Sequence, residues 1–149
     1  MTITDIQKAY QNNRKLTMVT GYDSWSAQLI ATTPIDMILV GDSASMVMHG
    51  YDSTLSATMT MMEGHVSAVA RHLGKQFLVA DLPFLAYRKS RSQSVEAVHR
   101  LMQLGAHAVK LEGVEGNIEL IQHLVQSGVP VMGHLGLTPQ FVQQFGGYR

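Results

Sequence analysis

Short apolar runs alternate along this chain with longer stretches whose apolar residues recur at helical spacing. The most informative run is Ala108-Val109-Lys110-Leu111-Glu112. Read as a strand, it sends Val109 and Leu111 to one face and Ala108, Lys110 and Glu112 to the other. The first face suits burial beneath a helix. The second carries a cation and a carboxylate at the strand's C-terminal end. Two earlier runs also finish in an acid: Met37-Ile38-Leu39-Val40-Gly41-Asp42 and Phe77-Leu78-Val79-Ala80-Asp81. Further strands are expected at Leu16–Thr20 and Val129–His134. If neighbouring strands run parallel, Asp42, Asp81, Lys110 and Glu112 share one rim.

The intervening stretches predict helices. Thr4 with Gln7 reads as a capping box opening a short polar helix to about Asn12. Asp23 or Ser24 caps a helix from Trp25 to about Thr32, stopped by Pro34. From Thr60 to Leu73, Met62, Val66, Val69 and Leu73 form a buried stripe, ended by Gly74. Ser92 or Ser94 opens a helix burying Val95, Val98, Leu101 and Met102, closed by Gly105. Asn117 caps a helix with Ile118, Ile121, Leu124 and Val125 inward, closed by Gly128. A turn over Gly136–Pro139 leads to a short helix at Gln140–Phe145, and Gly146–Arg149 reads as a mobile loop. The stretch 43–57 has no clean period. It is expected to be a long loop with room for a small hairpin, a kind of segment that is usually functional.

Strand and helix alternate four times before a fifth strand, which predicts a parallel sheet covered by helices. Two architectures fit this order, a doubly wound sheet and a (βα)8 barrel. The first needs a glycine fingerprint after its first strand, and Gly21-Tyr22-Asp23 does not supply one. The second places its chemistry at strand C-terminal ends, where these acids lie. A closed barrel usually takes at least about 200 residues. The 149 residues here supply about five of its eight strands. One domain over residues 1–149 is expected, the N-terminal portion of such a barrel.

Composition narrows the function. Hydrophobic residues make up 46% and charged residues 15%, enough apolar side chain for a packed core. Eleven basic residues balance eleven acidic ones, so no nucleic-acid partner is expected, and Arg88-Lys89-Ser90-Arg91 reads as a solvated loop. The absence of cysteine excludes disulfides, thiolate metal sites and cysteine nucleophiles. No signal-peptide layout and no long apolar run are present. The expectation is a cytoplasmic protein without a membrane span.

Asp42, Asp81 and Glu112 are hard oxygen ligands of the kind that suits Mg2+. A divalent ion would offset the repulsion among three gathered carboxylates, with Lys110 assisting. Mg2+ keeps positions open for substrate oxygens, and an α-keto acid fits them through its keto and carboxylate oxygens. The ion would polarise the carbonyl and stabilise an enolate. Ser43 and Lys110 are candidates to hold the substrate carboxylate, and His134 to orient substrate or shuttle a proton. Each also has a simpler reading. The aspartates form turns, Ser43 caps a helix, and His134 is structural. Lys110 is either a salt-bridge partner of Glu112 or a Schiff-base nucleophile in a metal-free aldolase. His65, His99 and His123 read as surface residues, and most methionines as core filler.

The segments Met37–Ser43, Gly50-Tyr51-Asp52-Ser53-Thr54-Leu55, Ala80-Asp81-Leu82-Pro83-Phe84, Val109–Gly113, Gly133-His134-Leu135-Gly136-Leu137-Thr138-Pro139-Gln140 and Phe145-Gly146-Gly147-Tyr148 recur in an order and spacing that together resemble the ketopantoate hydroxymethyltransferase family. The resemblance implies a (βα)8 barrel that binds Mg2+ and a 2-oxo acid. It implies hydroxymethyl transfer from 5,10-methylenetetrahydrofolate to 3-methyl-2-oxobutanoate, giving 2-dehydropantoate (ketopantoate) for pantothenate and coenzyme A synthesis. Asp42, Asp81 and Glu112 match the family's metal-site acids. Asp42, Ser43, Asp81 and Lys110 match its substrate contacts, and His134 matches an active-site histidine. A homo-oligomer, typically a decamer, is also implied. The family's general-base glutamate lies beyond the GGY loop and has no counterpart in these residues. A fragment is therefore expected, with strand edges open to aggregation unless another polypeptide completes it. The alternatives are a Mg2+-dependent lyase or mutase for another 2-oxo acid, and a catalytically incomplete chain that binds metal and keto acid or assembles with a partner.

Overall fold

The computed structural model describes residues 1–147. Five parallel strands form one sheet: β1 (Met18–Thr20), β2 (Met37–Val40), β3 (Phe77–Asp81), β4 (Ala108–Glu112) and β5 (Val131–His134). Helix α1 (Ile3–Gln11) precedes them. Between and after them lie α2 (Ser24–Ala31), α3 (Ala44–Val47), α4 (Met59–Ala70), α5 (Arg91–Gln103), α6 (Ile118–Gln126) and α7 (Val142–Phe145). The strand order is β1-β2-β3-β4-β5. Sequential neighbours of this kind form an arc of a (βα)8 barrel, whereas a doubly wound sheet reverses its order at a switch point.

Alternation along each strand divides the core in two. Ile38, Val40, Leu78, Ala80, Val109 and Leu111 pack beneath the helices with Met62, Val66, Val69, Val98, Leu101 and Leu124. Met37, Phe77, Val79 and Ala108 pack together on the other face. Lys110 and Glu112, two and four residues beyond Ala108, point to that second face, the inner side of the arc.

Several boundaries differ from expectation. The capping box of α1 begins at Thr2, not Thr4. The Thr2 hydroxyl accepts from the Asp5 amide at 3.3 Å, and Asp5 accepts from the Thr2 amide at 2.8 Å. Ser90 caps α5, accepting from the Gln93 amide, while Ser94 is buried inside the helix. Stretch 43–57 holds α3 and a 3-10 turn over Thr54–Ser56, not a hairpin. Ser45 compacts it, since its hydroxyl lies 2.9 Å from the Asp42 carbonyl and 3.1 Å from that of Ser53.

Helix α6 is rotated relative to the predicted face. Leu120 and Leu124 are buried, but Ile118 and Val125 are 53% and 55% exposed. The buried Asn117 amide donates to the Glu112 and Gly113 carbonyls, and this fixes how the helix leaves β4. Gly146, at φ +70°, ends α7 in the left-handed conformation. Tyr148 and Arg149, the end of the expected mobile loop, lie outside the described residues. Among the described residues, no helix is long and apolar enough to cross a membrane.

Candidate active site

Strand register brings the expected residues to one rim. Asp81 of β3 lies opposite Lys110 of β4, and Glu112 of β4 lies opposite His134 of β5. Asp42 follows β2 by two residues, and its backbone N–H donates to Asp81 Oδ2 at 3.1 Å. Lys110 Nζ pairs with Asp81 Oδ1 at 2.7 Å, both side chains almost fully buried. His134 Nδ1 lies 3.1 Å from Glu112 Oε1 and 3.5 Å from Lys110 Nζ. The salt-bridge partner of Lys110 is therefore Asp81, not the Glu112 two residues along its own strand. Residues two apart on one strand stand about 6.5 Å apart along it, whereas directly opposed cross-strand partners stand closer.

Ser43 lies at the N-terminal edge of α3, where its side chain makes no cap bond. Its Oγ instead meets the Tyr22 hydroxyl at 2.8 Å. A Cβ placed on Gly41 would stand 3.0 Å from Ser43 Oγ and 3.4 Å from Asp81 Oδ2, so glycine there leaves both groups room.

Three residues join the network without having been singled out for a role. Gln140, in the 3-10 turn Pro139–Phe141, is buried. Its Nε2 donates to Asp42 Oδ2 at 2.7 Å and to the Leu82 carbonyl at 3.0 Å, and its backbone N–H donates to Glu112 Oε2 at 3.0 Å. The Tyr87 hydroxyl donates to Gln140 Oε1 at 2.7 Å. Tyr22 positions Ser43. Gln140 belongs to the specific Gly133–Gln140 segment, and that was the one signal available. Tyr22 and Tyr87 carried none.

Burial dominates the electrostatics. It pushes the Asp42 carboxyl above its usual range against the Gln140 hydrogen bond, and raises Asp81 to about 7 against the Lys110 cation. Asp42, Asp81 and Glu112 are all buried, with one buried lysine and a half-buried histidine beside them. This excess of hard oxygen over cation suits a divalent ion at Asp42 and Asp81. Glu112 has one oxygen engaged by His134 and the other by Gln140. Among the described residues, no cluster of three or more His, Cys, Asp or Glu side chains is preformed to ligate a metal.

The remaining histidines divide. His99 is exposed, as expected, and His123 is half-buried. His65 is also half-buried, unlike its surface reading, because its Nδ1 donates to the Tyr22 carbonyl at 2.6 Å and its Nε2 meets His49 at 2.9 Å.

The family model for ketopantoate hydroxymethyltransferase matches residues 1–149. The chain is 52% identical over 150 residues to 3-methyl-2-oxobutanoate hydroxymethyltransferase of Legionella pneumophila (strain Lens), covering 100% of this chain and 57% of that protein. It is 51% identical over 148 residues to the protein of the same name from Bdellovibrio bacteriovorus, covering 99% and 56%. The chain thus spans a little over half the length of these curated relatives. Among solved structures, 2,3-dimethylmalate lyase, described as a PEP mutase/isocitrate lyase superfamily member, superposes with a TM-score of 0.65 at 15% identity, over 87% of this chain and 51% of that one. Phosphonopyruvate hydrolase, in a complex with oxalate and Mg2+, gives 0.61 at 17% identity, over 75% and 39%. At such identities the likeness speaks for the fold, a partial (βα) barrel.

Proposed function

The chain belongs to the ketopantoate hydroxymethyltransferase family, and on that premise we propose that it supplies the metal- and keto-acid-binding side of a hydroxymethyltransferase. The reaction consumes 3-methyl-2-oxobutanoate, 5,10-methylenetetrahydrofolate and water, and yields 2-dehydropantoate and tetrahydrofolate, on the route to pantothenate and coenzyme A. C3 of the keto acid loses its proton and forms a bond to the folate's methylene carbon, whose two bonds to folate nitrogens break. Water supplies the hydroxyl oxygen, and the C3 proton and the water's remaining proton are balanced by the two N–H bonds of tetrahydrofolate.

One observation carries this reading. Groups at the C-terminal ends of β2, β3, β4 and β5 form a continuous polar network: Lys110 pairs with Asp81, Asp81 accepts from the Asp42 backbone N–H, Gln140 joins Asp42 to Glu112, and His134 donates to Glu112. Asp42 and Asp81 would hold Mg2+, with Glu112 behind them. When bound, the ion supplies Lewis acidity at the keto oxygen and so acidifies C3. Lys110 sits where its ammonium can pair with a substrate carboxylate as well as with Asp81. Ser43, oriented by Tyr22, offers a hydroxyl at the same mouth. The Glu112 carboxylate selects the His134 tautomer protonated on Nδ1, leaving Nε2 as an acceptor toward substrate. The C3 proton acceptor is assigned to the part of the family's length that this chain does not span.

The alternative reading is a catalytically incomplete chain that binds metal and keto acid or assembles with a partner chain. The cytoplasm and a homo-oligomer, up to the decamer expected for the family, complete the proposal. Calorimetric titration with 3-methyl-2-oxobutanoate, with and without Mg2+, tests it. Binding is expected only with Mg2+. Equal affinity without the ion, or a borohydride-trapped adduct on Lys110, would overturn it.

A further inference from the structure

We infer that Gln140 is a positioning residue that sets two of the three acids, Asp42 and Glu112, for a divalent cation. The inference rests on the metal reading above. Gln140 lies 98 positions from Asp42 and 28 from Glu112 in sequence, yet bonds both. Its amide admits one orientation. Both Nε2 hydrogens are used, on Asp42 Oδ2 and the Leu82 carbonyl, while Oε1 receives the Tyr87 hydroxyl. A flipped amide would set its oxygen against a carboxylate and a carbonyl, acceptors both.

Chemistry explains why an amide stands here. An arginine or lysine would hold Asp42 as firmly, but its charge would compete with the incoming cation. A glutamate would add a fourth carboxylate to a buried site. A neutral double donor fixes one Asp42 oxygen and leaves the other free. With Lys110 already neutralising one of the three carboxylates, the site retains the charge that a divalent ion matches. The backbone N–H of the same residue occupies Glu112 Oε2, so the acids of β2 and β4 are held at a set separation by one turn of chain. Tyr87 locks that turn from behind, and its hydroxyl also lies 3.3 Å from the Glu112 carbonyl. Outer partners of this kind govern metal affinity because they hold the ligands in place.

Mn2+ serves as the probe, with free ion read by electron paramagnetic resonance and the hydration of bound ion by water-proton relaxation. The wild-type chain is expected to bind Mn2+. Gln140→Met is expected to bind it about ten-fold or more weakly, with higher relaxivity per bound ion as Asp42 swings away and water replaces it. Equal affinity in the variant overturns the inference. So does weaker binding with unchanged relaxivity per ion, since a merely structural loss lowers occupancy without rehydrating the metal. If the wild type binds no Mn2+, the metal reading itself fails, a result distinct from either. Should Gln140→Met not fold, Tyr87→Phe carries the test with the same signature at smaller amplitude, and an unchanged affinity there is the contrary result.

Discussion

Lys110 is buried beside Asp81, and its partner there decides how the site titrates. Asp81 has a folded pKa of about 7 against an ordinary value of 3.8. The folded protein therefore holds this proton more tightly than the unfolded chain does. Stability from this group is present in acid and is lost as pH climbs from about 4 through 7. The metal-free protein is expected to melt at lower temperature at pH 8 than at pH 5, and Asp81→Asn to flatten that slope. Mg2+ should raise the melting temperature more at pH 8, where Asp81 is ionised. A slope unchanged in the variant would contradict the assignment. Lys110→Met removes the cation that favours ionised Asp81, so Asp81 keeps its proton to higher pH, and the loss in urea unfolding is expected to be larger at pH 8, up to about 3–5 kcal/mol, than at pH 5. The residues readable in advance were those on strands. Period-two alternation placed Lys110 and Glu112 on one face, and equivalent strand ends placed Asp42 and Asp81 beside them. Gln140 was not readable as a partner of Asp42, because that contact depends on the path of the loop after β5.

The helix and strand elements followed from apolar period and breakers, except where a polar side chain redirected one. The Met62, Val66 and Val69 stripe of α4 is fully buried, as its spacing required. For α6 the same logic misplaced Ile118 and Val125, since the bonds from Asn117 to the Glu112 and Gly113 carbonyls, invisible to periodicity, set the helix rotation. The turn between α5 and β4 offers a test at this scale. Gly105 has φ +106°, and a Cβ there would stand 2.8 Å from Ala70 Cβ on α4. Ala70 cannot swing aside, so Gly105→Ala combines backbone strain with a clash between helices. An expected loss of roughly 1–3 kcal/mol is measurable by chemical denaturation. A neutral substitution would show that the α4–α5 contact is looser than the structure has it.

For the molecule as a whole, the missing glycine fingerprint and the acids at strand ends favoured a barrel over a doubly wound sheet, and the strand order agrees. In the described sheet, β3 is flanked on both sides and buried along its length, whereas β1 and β5 each pair on one side. Amide exchange should rank accordingly, slowest in β2, β3 and β4 and faster in β1 and β5. A uniform rate across all five strands would count against that ranking. The central claim is that acids from separate βα units serve one divalent ion that receives a keto acid. A crystal grown with Mn2+ and 3-methyl-2-oxobutanoate tests it most directly through the metal's anomalous signal. The account predicts a single ion within about 2.2 Å of carboxylate oxygens of both Asp42 and Asp81, with the keto acid on its open side. An ion bound elsewhere, or a keto acid bound without one, would contradict it.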